Sequence, residues 1–138
     1  MRRLVALSIV SSLLILTLGL PAFAGSPHFV GDPDINLVGN SLTVSGKLAG
    51  LGNEEQVEVQ VTVEAACINP GKKHPKAANK ESFAAAGTFP VQNGKADYEL
   101  TVTAAFQPDC SPPMTVDFTN LVITDLTHGI SQSFPGPV

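Results

Sequence analysis

The sequence predicts an all-β fold, an antiparallel β-sandwich, because two long segments alternate apolar and polar residues and no stretch has an amphipathic helical pattern. Successive side chains of a strand point to opposite faces of a sheet, so alternation indicates a strand with one buried face. In Gln56–Cys67 four valines occupy every second position. In Ala96–Phe106 the apolar residues alternate with Asp97, Glu99 and threonines. Each segment therefore predicts a half-buried strand.

Five further strands are predicted around these two. In the predicted strand Leu42–Leu48, Gly46 indicates a bulge or a close approach of another group. In the predicted strand Met114–Asp125, the apolar positions change parity near Thr119–Asn120, which predicts a β-bulge. A turn-like segment, Asp125–Gly129, separates the last two. The five strands are Ile35–Val38, Leu42–Leu48, Ser82–Val91, Met114–Asp125 and Gly129–Phe134.

An Asn93-Gly94 pair stands between two of the predicted strands. Asn-Gly flanked by alternating apolar residues is the strongest short-range signal for a hairpin, because a type I′ turn requires positive φ at both central positions. The sequence therefore predicts that Ser82–Val91 pairs with Ala96–Phe106.

About seven short strands separated by turn signals are typical of an immunoglobulin-like β-sandwich. A small β-barrel is the alternative. True immunoglobulin domains pack a core tryptophan against a cysteine pair, and this chain has no tryptophan. The expected likeness is therefore one of architecture.

The amino terminus has the three parts of a secretory signal peptide. Two arginines precede the apolar stretch Leu4–Leu20, and small residues occupy positions 22 and 24. We expect cleavage between Ala24 and Gly25, which leaves residues 25–138 as one secreted or extracytoplasmic domain without a stable membrane anchor. The alternative is an uncleaved anchor, since the apolar stretch is close to the lower length limit for crossing a bilayer.

The two cysteines, Cys67 and Cys110, predict a single disulfide. An exported chain enters an oxidising compartment, and neither a CxxC motif nor Cys/His metal spacing is present. The bridge would close a loop of about 44 residues and stabilise the fold by roughly 4 kcal/mol in the chain-entropy model. Two free buried thiols are the alternative.

The charge of the chain excludes some classes of partner. The full chain has a formal net charge of −4, and the mature chain, with six lysines, no arginine and twelve acidic residues, has −6. Nucleic-acid binding depends on Lys and Arg contacts to phosphates, so no nucleic-acid partner is expected. The same bias disfavours a polybasic membrane-surface role.

The one basic segment is the connection 69–80. Clustered ammonium groups raise the local concentration of anions, so this segment is a candidate surface for an anionic glycan, lipid or other extracellular ligand. Alternatively, it is a solvated loop whose lysines only maintain solubility. Its candidate ligand-binding residues are Lys72, Lys73, His74, Lys76 and Lys80.

Metal binding and a cofactor are not expected. Asp32, Asp34 and Asn36 alternate as in a calcium loop, but Leu37 and Thr43 stand where an EF-hand needs Gly and Glu. His28 would chelate copper through its own amine only as the first mature residue, and Pro27 disfavours that cleavage. His74 and His128 are expected to be exposed loop residues.

No nucleophile motif of a hydrolase is present, and the single tyrosine and missing tryptophan disfavour a glycosidase. We therefore expect a monomeric, non-catalytic binding or structural module. The alternative is a hydrolase, with or without a metal, whose site assembles from dispersed residues near His28, Asp32 and Asp34.

Four short segments support a resemblance. They are Ser26-Pro27-His28-Phe29, Ala49-Gly50-Leu51-Gly52, Cys67-x-Asn69-x-Gly71 continuing to Pro75-x-Ala77-x-Asn79-Lys80, and Thr124-Asp125-x-Thr127-x-Gly129. In them the chain resembles a group of small secreted proteins of unknown function, over nearly the whole mature domain. The resemblance implies a single secreted β domain with a disulfide, and it adds no catalytic residue. A site marked by these segments would lie in the loops 49–55 and 69–80.

The intact mass of the protein recovered from outside the producing cell tests the predicted cleavage of the signal peptide and the predicted disulfide. We expect the mass of residues 25–138 less two hydrogens. A mass that includes residues 1–24 would exclude cleavage, and a mass without the deficit of two hydrogens would exclude the disulfide.

Overall fold

The computed structural model describes residues 25–71 and 79–138, and these form two antiparallel β-sheets that pack face to face. The all-β sandwich with one disulfide is confirmed. Eight strands are present instead of about seven. They are β1 (His28–Phe29), β2 (Asp34–Val38), β3 (Ser41–Ala49), β4 (Gln56–Ile68), β5 (Lys80–Pro90), β6 (Ala96–Thr103), β7 (Thr115–Asp125) and β8 (Ile130–Phe134).

The first sheet is built around β3. One edge of β3 pairs with β6, and the other pairs with β2 over one half of its length and with β1 near its end. The second sheet has the order β5-β4-β7-β8. The additional strand, β1, is only two residues long and pairs through His28↔Ala49 and Phe29↔Leu48. Two residues are too few to show the period-two alternation by which the other strands were predicted.

The core lies between the two sheets, and the alternation seen in the sequence decides which residues fill it. On β4 the valines from Val57 to Val63 are at most 1% exposed, whereas Glu58 and Glu64 on the opposite face are exposed. On β3, Leu42, Val44 and Leu48 are fully buried. Both central strands therefore direct their apolar faces toward each other, as period-two patterning predicts.

The Asn93-Gly94 turn is confirmed, but the predicted pairing of its flanking strands is wrong. Asn93 and Gly94 have φ of 52° and 73°, and Gln92 and Lys95 exchange two backbone hydrogen bonds, of 2.8 and 3.0 Å. Beyond this single bridge the strands separate: β5 pairs with β4 and β6 pairs with β3.

The separation of β5 from β6 has a cause in the core. Both strands carry an apolar face, and in opposite sheets these faces contact each other across the sandwich. The rings of Phe89 on β5 and Tyr98 on β6 lie 6.4 Å apart, and those of Phe83 on β5 and Phe106, three residues beyond β6, lie 5.7 Å apart, both in edge-on geometry. The turn is a local feature, whereas the partner of each strand is decided by burial of its apolar face.

The predicted bulge is confirmed at Asn120. Thr62 pairs with Val122 and Glu64 pairs with Thr119, so β7 has one residue more than β4 over this interval. Asn120 has a φ of 51°, and its side-chain Nδ2 donates to Glu64 Oε2 at 2.7 Å. The extra residue explains the change in parity, because it returns Leu121 and Ile123 to the buried face.

The predicted disulfide is present between Cys67, near the end of β4, and Cys110, in the connection from β6 to β7. The two Cα atoms are 5.8 Å apart, a usual separation for a disulfide. The bridge joins the second sheet to the connection that leaves the first sheet.

At Gly46 the side chain of Tyr98 approaches the backbone of β3 closely, and β3 has no bulge at this position. Tyr98 is the partner of Gly46 on β6, and a Cβ at Gly46 would lie 2.4 Å from the Tyr98 Oη. The ring is 3% exposed and meets Phe29 and Phe89 edge-on, and burial raises the pKa of Tyr98 to about 12.

We expect Gly46→Ala to lower the free energy of unfolding by about 1–3 kcal/mol, since the new methyl group displaces the tyrosine ring from a packed core. Urea unfolding followed by tyrosine fluorescence measures the effect. Ser45→Ala, the neighbouring position on β3, is the matched control and should change stability by less than about 0.5 kcal/mol. Equal effects of the two substitutions would exclude the close approach as the cause.

Candidate functional site

The antiparallel register places the loops at two opposite ends of the sandwich. At the Glu54 end, which comprises residues 50–55, 91–95 and 125–129, β4 begins and Val59 pairs with Asp125. At the disulfide end, Ala66 pairs with Lys80 and Cys67 pairs with Val116. The 13 residues of β4 span about 40 Å at roughly 3.3 Å per residue. The loop 49–55 and the described part of the segment 69–80 therefore do not form one site.

A buried carboxylate organises the Glu54 end. Asp125 is fully buried at the end of β7, on the same face as Leu121 and Ile123. Its Oδ1 accepts hydrogen bonds from the backbone N–H groups of Thr127, at 2.9 Å, and His128, at 3.1 Å. A buried carboxylate is tolerated when such donors replace its hydration. The side chain thereby holds the turn 125–129 in place.

His128 connects this carboxylate to a second one. Its Nδ1 lies 2.6 Å from Asp125 Oδ2, and its Nε2 lies 2.8 Å from Glu54 Oε1. A neutral imidazole has only one N–H, so two carboxylate partners require the protonated ring, which donates from both nitrogens. The imidazolium therefore joins the turn 125–129 to the loop 50–55, across 74 positions of the sequence.

The surroundings of His128 favour its charged form. Its side chain is 17% exposed, and burial by itself lowers the pKa of the ring. The hydrogen bonds to Asp125 and Glu54 and the negative charges of both carboxylates outweigh burial, so the pKa of His128 is raised above its ordinary value. The cluster is an ion triad with one cation between two anions.

The triad is suited to holding two loops together and unsuited to proton transfer. A general base needs a free nitrogen lone pair facing its substrate, and both His128 nitrogens are occupied. The nearby Thr127 hydroxyl oxygen accepts a hydrogen bond from the Glu58 backbone N–H at 2.9 Å. The triad therefore has a structural role in this arrangement.

An open cleft of about 540 Å³ adjoins Glu54. One carboxylate, one ammonium group and two amides give it a polar character, and its glycines leave backbone groups accessible. Its lining residues are Gly50, Gly52, Asn53, Glu54, Val91, Asn93, Gly94 and Lys95.

Three of the four segments of the resemblance lie at the Glu54 end, and their residues have physical reasons to be there. Gly50 has a φ of 73°, and a Cβ at this position would lie 2.0 Å from the Ser26 carbonyl oxygen. Asp125 and Thr127 hold the turn that Gly129 closes, since the Gly129 N–H donates to the Asp125 carbonyl at 2.8 Å. These residues support loop structure.

At the disulfide end, the structure describes only part of the predicted basic segment. Lys72, Lys73, His74 and Lys76 lie outside the described residues. Lys80 is exposed at the first position of β5 and borders a cavity of about 220 Å³ together with Glu64 and Thr119.

The alternative set near the amino terminus is spread over two strands and the loop between them. His28 is exposed on β1, where its Nδ1 lies 2.8 Å from the Ser26 carbonyl oxygen. Asp32 precedes β2, and Asp34 pairs with Ser45. Within residues 25–71 and 79–138, no group of three or more His, Cys, Asp or Glu side chains is arranged to hold a metal ion.

The sequence prediction for His128 is wrong, since the ring is half-buried and paired on both nitrogens. One signal in the sequence indicated part of this site. Leu121, Ile123 and Asp125 share the parity of a buried strand face, and a carboxylate on that face needs polar partners. Glu54 was not predictable in this way, because its contact depends on the tertiary fold.

No protein-family model matches the chain, and no curated protein or solved structure was found to match it. Among the described residues, no helix is long and apolar enough to cross a membrane.

Protonated His128 predicts a pH-dependent contribution to stability. Because its pKa is higher in the folded protein than in the unfolded chain, the contribution is complete below the unfolded value of about 6.5. It is lost as the pH rises through the higher folded value. We expect the difference in free energy of unfolding between the wild type and His128→Gln to be largest near pH 5.5 and to shrink above neutrality.

Urea titrations at several pH values measure this difference. His28→Gln is the matched control for the loss of an imidazole, since His28 contacts a backbone carbonyl instead of carboxylates. A His128→Gln difference that is constant from pH 5.5 to 9 would contradict the ion triad.

Proposed function

We propose that this protein is exported and acts as a non-catalytic binding module for an anionic extracellular ligand. The observation that carries the proposal is the segregation of charge. All twelve acidic residues lie within residues 25–71 and 79–138, whereas four of the six lysines of the mature chain lie in the segment 69–80. A local positive region on an otherwise acidic protein attracts anions to one place.

The chemistry of the described residues supports a binding role over a catalytic one. The most organised ionisable cluster, the Glu54–His128–Asp125 triad, has both histidine nitrogens occupied, and the neighbouring Thr127 hydroxyl oxygen accepts a hydrogen bond from the Glu58 backbone. Both cysteines of the chain are joined in the disulfide and are not available as nucleophiles.

The disulfide and the amino-terminal sequence support export. A disulfide is typical of an oxidising compartment. The sequence before Gly25 has the arginines, apolar stretch and small residues of a cleaved signal. Secretion places the basic segment where extracellular polyanions occur.

An immunoglobulin-like arrangement is part of the same proposal. The strand order supports it: one sheet contains β2-β3-β6 and the other contains β5-β4-β7-β8. Such sandwiches display loops at their two ends and commonly bind ligands through them. The described residues of the segment 69–80, which follow β4 and begin β5, lie at one of these ends.

Charge removal tests the proposed ligand surface. Heparin and polygalacturonate serve as anionic probes, and neutral dextran controls for non-specific adsorption. We expect the variant with Lys72, Lys73, Lys76 and Lys80 changed to Gln to lose at least about fourfold in affinity, given about 0.2–1 kcal/mol for each exposed ion pair. The affinity of the wild type should also fall as salt rises.

The matched comparison uses two double variants of equal charge. Lys72→Gln with Lys76→Gln should weaken binding, whereas Lys47→Gln with Lys95→Gln, at the other two lysines of the mature chain, should leave it nearly unchanged. Equal loss in both variants would attribute the binding to net charge alone. No binding of the wild type to either polyanion would overturn the proposal for these ligands.

A further inference from the structure

Strand β5 has one unpaired edge along its whole length. It pairs with β4 from Gln56↔Pro90 to Ala66↔Lys80 without a register shift, and no described strand lies on its other side. Its 11 residues extend over roughly 35 Å at about 3.3 Å per residue. This edge therefore offers a long row of backbone donors and acceptors.

The hydrogen-bond alternation identifies the groups on that edge. The Val91 N–H donates to the Glu55 carbonyl at 2.9 Å, so odd-numbered residues of β5 direct their backbone groups toward β4. Even-numbered residues direct theirs away from β4. Pro90, which has no N–H, occupies one of these outward positions and breaks no bond to β4. The outward groups belong to Ser82, Ala84, Ala86 and Thr88.

The other sheet edges in the described part of the chain carry features that discourage pairing. Edge strand β6 has Asp97 and Glu99, β8 has only five residues, and the connection 30–33 interrupts the edge formed by β1 and β2. From Ser82 to Phe89, β5 has neither a charged residue nor a bulge nor a proline. Unprotected edges of this kind accept another strand.

We propose that β5 pairs with β5 of a second copy of this chain, antiparallel about a two-fold axis at Ala85. In this register Ala84 of each copy lies opposite Ala86 of the other, and Ser82 lies opposite Thr88. Every outward backbone group of these four residues gains a partner. The small side chains at the centre leave the approach of the two backbones unobstructed.

Charge complementarity selects a second copy as the occupant. The edge has charged residues only at one end, Lys80 and Glu81, so antiparallel pairing keeps like charges of the two copies apart. It brings Lys80 of one copy beside Pro90 of the other. At that end of the second copy Glu55 precedes β4 and Glu58 lies near its start, and both are exposed. Lys80 of each copy therefore lies on the side of the acidic Glu55 and Glu58 of the other.

The resulting dimer has a continuous eight-stranded sheet in the order β8-β7-β4-β5-β5-β4-β7-β8. An isologous contact of this kind closes after two copies. The proposal departs from the monomer expected from the sequence, because composition does not show which strand lies at an unprotected edge.

Sedimentation equilibrium of the mature protein at micromolar to millimolar concentrations tests the proposal. We expect the wild type to approach twice the monomer mass. Ala86→Pro removes an outward N–H as Pro90 does, leaves the bonds to β4 in place, and should raise the dimer Kd at least tenfold. Ala86→Thr, which keeps the N–H at the same position, is the matched control and should remain dimeric.

A second variant keeps the test valid if Ala86→Pro does not fold by circular dichroism. Ala86→Lys introduces a charge on the exposed face of the edge and should also raise the Kd, whereas Ser131→Lys, on the opposite edge strand β8, should not. A wild type that stays monomeric up to 1 mM would overturn the proposal. A dimer that is equally stable with Ala86→Lys and Ser131→Lys would exclude β5 as its interface.

Discussion

The structure depends on covering the apolar face of β4. Four valines from Val57 to Val63 need a second apolar layer, and they receive it from β3 and β6, where Leu42, Val44 and Val102 are at most 2% exposed. Burial of aliphatic side chains supplies about 1.5–3 kcal/mol for each of them, more than a typical hydrogen bond between neutral groups. This requirement directs β5 and β6 into opposite sheets although a tight turn joins them.

Most features that depend on a few neighbouring residues were predictable, and the disulfide was predictable because the chain has only two cysteines. Strand partners and side-chain contacts between distant residues were not predictable. Alternation predicted the long strands, the parity change predicted the bulge at Asn120, and Asn93-Gly94 predicted the turn. The predicted partner of β5 was wrong because burial of the apolar faces, which involves strands far apart in the sequence, decides the pairing. The contact of His128 with Glu54 was missed for the same reason, since the alternation pattern extends only along one strand.

The ion triad and the disulfide lie at opposite ends of the sandwich and have different consequences. At the Glu54 end, a cation between two carboxylates fixes the loops beside an open polar cleft. At the other end, the disulfide anchors the end of β4 to the connection between β6 and β7. The two ends of β4 are therefore held by different interactions, an ion triad beside one and a covalent bond at the other.

The order of pairing in the first sheet has a consequence for folding kinetics. Ser41 of β3 pairs with Thr103 of β6, 62 positions later, and β4 pairs with β7 over a similar distance. Non-local pairing slows folding, because the entropy of closing a long loop is lost before the contacts form. During synthesis, which starts at the amino terminus, β3 is complete before its partner β6, and β4 is complete before its partner β7. In that interval the apolar faces of both strands are open to water and to other chains.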